Sequence, residues 1–440
     1  MKGFFTVLIT KLIIIMCKLA GKNGENAPGK FAYKFNKNIL KYFKINCPVI
    51  AVVGTNGKTT TNNTINSIFA TAGKKVVSNL KGNNMETGII TLLAKNSSLT
   101  GKVKAEYITL ELDESYLPVV GSKIQLDTVV LLDFFRDQLD RVGELESLIL
   151  KIKEFLETYN KNLVLNNDDP NVARRGQANP NNSNVYYFSV DKYKFASKEM
   201  KEAGEGKFCP FCSTRLEYEY YQYAHIGKFK CPKCNYGDNK IYKFATDVDL
   251  ENKSFKIGKD KFKINYNSIY SVYNFVAAIT AASIYKIDTK TIKETLEKFE
   301  LNNGRQEKLE INGSQTIINL AKNPTGANVS LRLVNEDNDE KDILFVLNDN
   351  PADGTDVSWI YDIDFSNLNN VNRIITSGKR AYDIAICIKN NGVQVDKIEA
   401  YLNLDEAVNA LYKTKCKKYA ISNYTAVQDT RHAIMKFGKK

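Results

Sequence analysis

One stretch constrains this chain more than any other: Val49-Ile50-Ala51-Val52-Val53-Gly54-Thr55-Asn56-Gly57-Lys58-Thr59-Thr60-Thr61. Its apolar run is too short for a buried helix but suits a covered strand. It meets two glycines, a lysine and consecutive hydroxyls, and then a segment with Ile65, Ile68 and Phe69 at helical spacing. Strand, loop and helix in that order make a phosphate cradle. Gly54 and Gly57 let the backbone come close to a polyphosphate, and the N–H groups from Thr55 and Asn56 to Thr60 face its anionic oxygens. Lys58 brings a point charge between terminal phosphates, and Thr59 is placed to ligate magnesium. Val52 stands where the longer phosphate-loop pattern has a further glycine, so this is a shortened variant.

With 440 residues the chain is too long for one ordinary core, and two or three domains are expected. A formal charge of +13 calls for anionic partners without choosing among nucleotide, nucleic acid, lipid surface or phosphorylated substrate. Four of the eight cysteines form two Cys-x-x-Cys pairs, and Cys17, Cys47, Cys387 and Cys416 are scattered. That is metal-site usage in a reducing, cytoplasmic compartment, and it excludes a disulfide framework. Phe4 to Ala20 is apolar but is broken by Lys11 and falls short of a bilayer span. The small-residue cleavage site of a signal peptide is missing at Lys18–Lys22. A packed or membrane-surface helix is expected there, with residues 22–30 as a polar linker behind it.

After the loop, extended and helical segments alternate: Lys75–Ser78, a helix near Met85–Ala94, Glu106–Glu111, Thr128–Leu132, a helix near Glu144–Glu157, and Leu163–Leu165. Such alternation predicts a parallel sheet covered by helices, with ligands at the carboxyl ends of its strands. Glu111, with Asp113 and Glu114 behind it, ends one strand, and a carboxylate there can hold magnesium against phosphates. Asp133-Phe134-Phe135-Arg136-Asp137-Gln138-Leu139-Asp140-Arg141 closes the next. Cys209, Cys212, Cys231 and Cys234 have the spacing of a four-thiolate zinc ribbon with no open position, a structural site. Tyr218, Tyr220, Tyr221 and Tyr223 between the pairs suit the cross-strand pairs of a β-hairpin better than a nucleic-acid surface. Asn274 opens a helix rich in small residues and has the donor and acceptor that an adenine edge requires. A second alternating unit follows, with strands near Thr316–Leu320, Ile343–Leu347, Arg373–Thr376 and Tyr419–Ser422. It contains Ala321-Lys322-Asn323-Pro324-Thr325-Gly326 and the stretch Leu347 to Trp359, with Asp349, Asp353, Asp356 and the only tryptophan. Just two histidines occur, His225 and His432, and neither adjoins a cysteine that would make a glutaminase pair with it.

The Gly-Thr-Asn-Gly-Lys-Thr-Thr loop resembles that of the Mur ligase superfamily, as do Leu165-Asn-Asn-Asp-Asp169, Tyr273-Asn274 and Asn302-Asn-Gly-Arg305. The zinc ribbon, Gln138 where most relatives have histidine, and Asp353-Gly-Thr-Asp-Val-Ser-Trp359 resemble its MurT branch. Asp133 departs from that branch, which has asparagine there. The resemblance implies an α/β protein: an N-terminal helical segment and linker (1–45), a central P-loop domain with a parallel sheet (46–304) interrupted by the four-cysteine zinc ribbon (about 205–240), and a C-terminal Rossmann-like α/β domain (305–440). It implies ATP, Mg2+ and structural Zn2+; Asn274 and Arg305 at the nucleotide; Lys58 and Glu111 at the γ-phosphate and metal; and Asp356 completing the site of a GatD-type glutaminase partner. The implied reaction is ATP-dependent amidation of the D-glutamate α-carboxyl of lipid II through an acyl phosphate, at the inner membrane face and with no nucleic-acid partner. Two competing readings are a ligase joining an amino acid to a carboxylate, as in folylpolyglutamate synthase, and a zinc-ribbon ATPase acting on nucleic acid.

Overall fold

The computed structural model describes every residue except 22–23, 81–82, 136–144, 178–183, 201–204, 301–304, 367 and 440, and the side chain of Arg305. Strand β1 (Val49–Val53) is buried along its whole length because both faces of its sheet are covered. Six strands run parallel beside it: β2 (Val76–Ser78), β3 (Tyr107–Glu111), β4 (Thr128–Leu131), β5 (Asn162–Asn166), β6 (Asn184–Val190) and, after the ribbon hairpin β7 (Glu217–Tyr223) and β8 (Ile226–Lys230), β9 (Ile241–Asp249). Antiparallel β10 (Ser254–Ile257) and β11 (Asp260–Lys263) complete an order β11-β10-β9-β6-β5-β4-β1-β3-β2. From β1 the chain first builds β2 and β3 on one side and then crosses to β4 on the other. The phosphate loop therefore leaves the sheet at its topological switch point, where the two flanking connections diverge and leave a crevice.

Helix α1 (Lys2–Leu19) and helix α2 (Ala27–Phe35) belong to this first unit, together with α3 (Lys58–Thr71) and α4 (Glu86–Asn96). The polar linker expected at 22–30 is corrected here, because α2 already begins at Ala27. Pro28 sits in its first turn, where the missing N–H costs nothing and the fixed φ suits a helix. Gly29 then lets α2 lie directly on α4: a Cβ there would stand 1.8 Å from the Thr87 carbonyl oxygen.

The second unit runs from Glu300 onward. Its sheet has the order β12-β13-β17-β14-β15-β16, formed by β12 (Arg305–Ile311), β13 (Ser314–Leu320), β14 (Lys341–Val346), β15 (Val371–Ser377), β16 (Ile398–Tyr401) and β17 (Lys417–Ser422). All are parallel except β12. Alternation along each strand feeds two cores. Ile317, Ile343, Phe345, Ile374 and Tyr419 enter one, and Ile318, Leu344, Val346, Ile375 and Ala420 enter the other. At one end of this sheet lies a fully buried ion pair, Lys418 Nζ to Asp342 Oδ2 at 2.8 Å, with Arg373 Nη2 on the same oxygen at 3.1 Å.

Removing one partner of a buried pair leaves the other charge uncompensated. Asp342→Ala is therefore expected to destabilise this unit by about 3–5 kcal/mol, read from the urea midpoint. A change below about 1 kcal/mol would mean that Lys418 finds water or another acceptor.

Candidate active site

The loop after β1 is held by its backbone. Thr55 N donates to the Asp133 carbonyl at 3.0 Å and Asn56 N to Asp133 Oδ1 at 2.7 Å, while Phe135 N donates to Thr55 Oγ1 at 3.0 Å. Gly57 takes φ +79°, and a Cβ there would lie 2.1 Å from Asn274 Oδ1. That position admits only glycine, on both conformation and space. Asn274, in the second turn of the helix Ile269–Ile284, is thus packed on the phosphate loop itself. Thr60 is buried and Thr59 half-buried in the first turn of α3.

Lys58 is 6% exposed, and its ammonium donates to the Gly54 carbonyl, to the Thr55 carbonyl at 3.4 Å and to Glu114 Oε2 at 3.2 Å. Glu114, named in the sequence only as a neighbour of Glu111, is therefore the carboxylate that meets the loop lysine. Glu111 is 3% exposed. Its Oε1 accepts from Asn84 Nδ2 at 3.3 Å, and its Oε2 is buried with no hydrogen-bond partner among the described residues. A buried carboxylate oxygen left without a donor is costly, and a cation would satisfy it. Together with the half-buried hydroxyl of Thr59, this donor set fits magnesium. Asn79 sets the position of Glu111: its Oδ1 accepts the Glu111 N–H and its Nδ2 donates to the Glu111 carbonyl, each at 2.8 Å. Nothing in the sequence marks Asn79 except its place at the end of β2.

Asp133, the departure from the family pattern, uses its carboxylate to hold the Asn56 N–H. Burial pushes its pKa well above the usual range, opposed by that hydrogen bond, and the nearby Asp169 charge raises it further. Asp169 Oδ2 in turn accepts Phe134 N at 2.8 Å. The Arg136–Arg141 stretch with Gln138, and Asn302–Gly304, lie outside the described residues. Arg305 opens β12 in the second unit, and Asp356 also belongs to that unit.

The four cysteine sulfurs lie within 4.8 Å of one another, with Cys209–Cys234 at 3.5 Å and Cys212–Cys231 at 3.4 Å. Each pair sits in a matching knuckle. Ser213 and Asn235, directly after the second cysteine, both take φ +57°, and their N–H groups return to Cys209 and Cys231 carbonyls. Four converging thiols fit a closed tetrahedral zinc site. Between the knuckles, β7 and β8 form the expected hairpin, with Tyr218 stacked on Tyr221 at 4.0 Å. Its tip does more than close the ribbon. His225 is fully buried there, its Nδ1 accepts Glu205 N at 3.2 Å, its Nε2 lies 3.5 Å from Asp169 Oδ1, and its ring packs on Phe135 at 4.5 Å. Gly227 N donates to the Asp168 carbonyl. The Asp168 carboxyl, pushed up to about 6 by burial, accepts from Val190 N, Ser189 and Tyr273. The ribbon tip thereby supports Phe135, whose N–H holds the Thr55 hydroxyl of the phosphate loop.

In the second unit, the three aspartates after β14 divide by role. Asp349 pairs with Arg380 at 2.9 Å, and Asp353 is buried and accepts Thr425 N at 2.7 Å. Asp356 is exposed, and hydrogen bonds from Ser358, its N–H at 2.8 Å from Asp356 Oδ1, hold its carboxyl below the usual range.

The ribbon contact generates an expectation. His225→Leu should keep one zinc per chain yet weaken binding of a fluorescent ADP about tenfold, because Asp169 and Phe135 lose their support. Unchanged affinity with zinc retained would show that the tip does not position the loop.

Comparison with known proteins adds identity. Residues 52–232 match the Mur ligase middle domain and residues 320–427 the MurT ligase C-terminal family. The Staphylococcus aureus MurT subunit of lipid II isoglutaminyl synthase (glutamine-hydrolyzing) is 31% identical over 97% of this chain and 96% of its own length. The Streptococcus pneumoniae subunit of the same name is 32% identical over 93% and 92%. Among solved structures, a pseudomurein peptide ligase type C from Methanothermus fervidus superposes with TM-score 0.71 at 25% identity, covering 91% of this chain and 80% of that one. MurF from Thermotoga maritima shares the fold at TM-score 0.62 and 15% identity, over 94% and 84%. A phosphate loop at the switch point of a parallel sheet, a ribbon inserted before the last parallel strand, and relatedness along nearly the whole chain lead to one conclusion: this chain belongs to the MurT family of Mur ligase-fold synthetases.

Proposed function

We propose that this chain is the synthetase subunit of a lipid II isoglutaminyl synthase, amidating the α-carboxyl of D-glutamate in the lipid II stem peptide to D-isoglutamine in peptidoglycan synthesis. The observation that carries this reading is the 31–32% identity, over nearly the full length of both chains, to subunits bearing that name. On this reading residues 46–304 form the ATP-binding domain with its ribbon, and residues 305–440 the domain that faces the glutaminase.

ATP enters as co-substrate. The substrate carboxylate oxygen forms a bond to the γ-phosphorus as the bond to the ADP oxygen breaks. Ammonia then attacks the acyl carbon, inorganic phosphate leaves and a proton is released. Lys58 exchanges its contacts with Gly54, Thr55 and Glu114 for phosphate oxygens, and the N–H groups of the loop and of the α3 N-terminus, from Thr55 and Asn56 to Thr60, orient the polyphosphate. Asn274, already against Gly57, reads the adenine edge of the bound nucleotide, and the family resemblance assigns Arg305 to the same nucleotide. Thr59 and Glu111 would hold Mg2+, which supplies neutralisation of phosphate charge. Zn2+ would be held by Cys209, Cys212, Cys231 and Cys234 as a structural ion.

Ammonia comes from a GatD-type glutaminase in a heterodimer. His225 is committed to Asp169, Phe135 and the Glu205 N–H, while Asp356 stands exposed where Asp349 and Asp353 are tied into the fold. The family resemblance assigns to Asp356 the carboxylate that completes the partner's Cys–His pair, and its exposure suits that role. Because lipid II resides in a bilayer, the enzyme works at the inner face of the membrane. Among the described residues no helix is long and apolar enough to cross it.

Incubation of the purified chain with lipid II, ATP, magnesium and ammonium should replace one hydroxyl by one amino group, read by mass. Lys58→Ala is expected to lower the rate by about 100-fold or more. With the partner present, Asp356→Asn should depress glutamine-driven amidation far more than ammonium-driven amidation. ADP release driven by an amino acid, with no response to ammonium, would instead favour an amino-acid ligase.

A further inference from the structure

Helix α1 is built inside out. Its buried residues are Gly3, Thr6, Val7 and Thr10, whereas Phe5, Leu12, Ile15, Met16 and Leu19 are 55%, 51%, 54%, 66% and 83% exposed. At 3.6 residues per turn the exposed set forms one stripe roughly 100° wide, opposite the buried set. The orientation is fixed from the inside. A Cβ on Gly3 would lie 2.3 Å from the Tyr42 ring, and Thr6 and Thr10 can be buried because their hydroxyls donate to the Lys2 and Thr6 carbonyls. Turning the apolar stripe inward would force large side chains against Tyr42. Alongside, α2 presents Phe31 and Phe35 at 36% and 52% exposure, their rings 4.6 Å apart.

Charge surrounds this stripe. Residues 1–45 contain nine lysines (2, 11, 18, 22, 30, 34, 37, 41 and 44) and one acid, Glu25, so this segment holds +8 of the formal +13 of the chain. Lys2, Lys18, Lys30, Lys34, Lys37 and Lys41 lie at or near the surface. Large apolar side chains aimed at solvent beside a dense one-sign field match a surface that is apolar below and anionic above. A second copy of the chain would bring the same positive field against itself.

We propose that the exposed stripe of α1, with Phe31 and Phe35 of α2, docks this enzyme on the surface of an anionic lipid bilayer, α1 lying in the interface with its lysines toward the headgroups. This deepens the membrane-face reading above and rests on it only for the location of the substrate.

The test is co-sedimentation of the full chain with phosphatidylcholine vesicles, with and without one quarter phosphatidylglycerol, in the absence of lipid II and nucleotide. Binding at least about tenfold stronger to the anionic vesicles is expected, weakening as salt rises. The triple variant Leu12→Glu/Ile15→Glu/Leu19→Glu and, separately, Lys2→Glu/Lys18→Glu/Lys30→Glu/Lys34→Glu should each lose about tenfold or more. Both should still amidate a water-soluble stem peptide at the wild-type rate. Absence of wild-type binding, equal binding by both variants, or a wild-type dimer that the triple variant abolishes would overturn the docking proposal. Vesicle binding without any amidation would support the docking proposal while overturning the functional reading instead.

Discussion

The site depends on one close approach, the carboxamide of Asn274 lying over Gly57. Any side chain at Gly57 would collide with it at 2.1 Å, and the positive φ there turns the chain from β1 into α3. With that contact in place, the phosphate loop is gripped between the helix Ile269–Ile284 and the Asp133–Phe135 segment. Lys58 is then directed inward to Glu114 instead of outward to water. Such a loop is preorganised: its N–H groups and its lysine need little rearrangement to meet phosphate oxygens, which is where electrostatic catalysis gains most.

The support extends further than the loop. Asp169 holds Phe134, His225 of the ribbon tip lies against Asp169 and Phe135, and Phe135 bonds to Thr55. A zinc ribbon is commonly a self-contained knuckle, yet here its hairpin turn is buried in the domain it interrupts. A metal held by the four thiols would have a use even in a protein large enough to fold without one: it would stiffen a hairpin whose tip braces the phosphate loop.

How much of this was legible in the sequence follows from how local each signal is. The strand–loop–helix of the phosphate site, the parallel strands to Asn166 and the two cysteine knuckles rest on patterns within about a dozen residues, and the structure reproduces them. The antiparallel β10 and β11 leave no such pattern, since lysines at 256, 259, 261 and 263 interrupt any apolar run. Edge strand β16 has no buried residue to mark it, and β12, at the other edge, alternates charged and apolar residues too weakly to stand out. The roles of Glu114, Asn79 and His225 come from contacts between residues far apart in the chain, which no local pattern encodes. In α1 the apolar content was plain, but its outward orientation depends on which residues Tyr42 and α4 accept.

On the proposed function, this cleft activates a substrate carboxylate by phosphoryl transfer from ATP. The most direct test of this step uses lipid II labelled with oxygen-18 in the D-glutamate α-carboxyl, with ammonium as nitrogen donor, and follows the label into inorganic phosphate by phosphorus NMR. Each phosphate released is expected to carry one labelled oxygen from the carboxylate. Amidation that yields only unlabelled phosphate would contradict it, because the carboxylate oxygen would then never have been bonded to phosphorus.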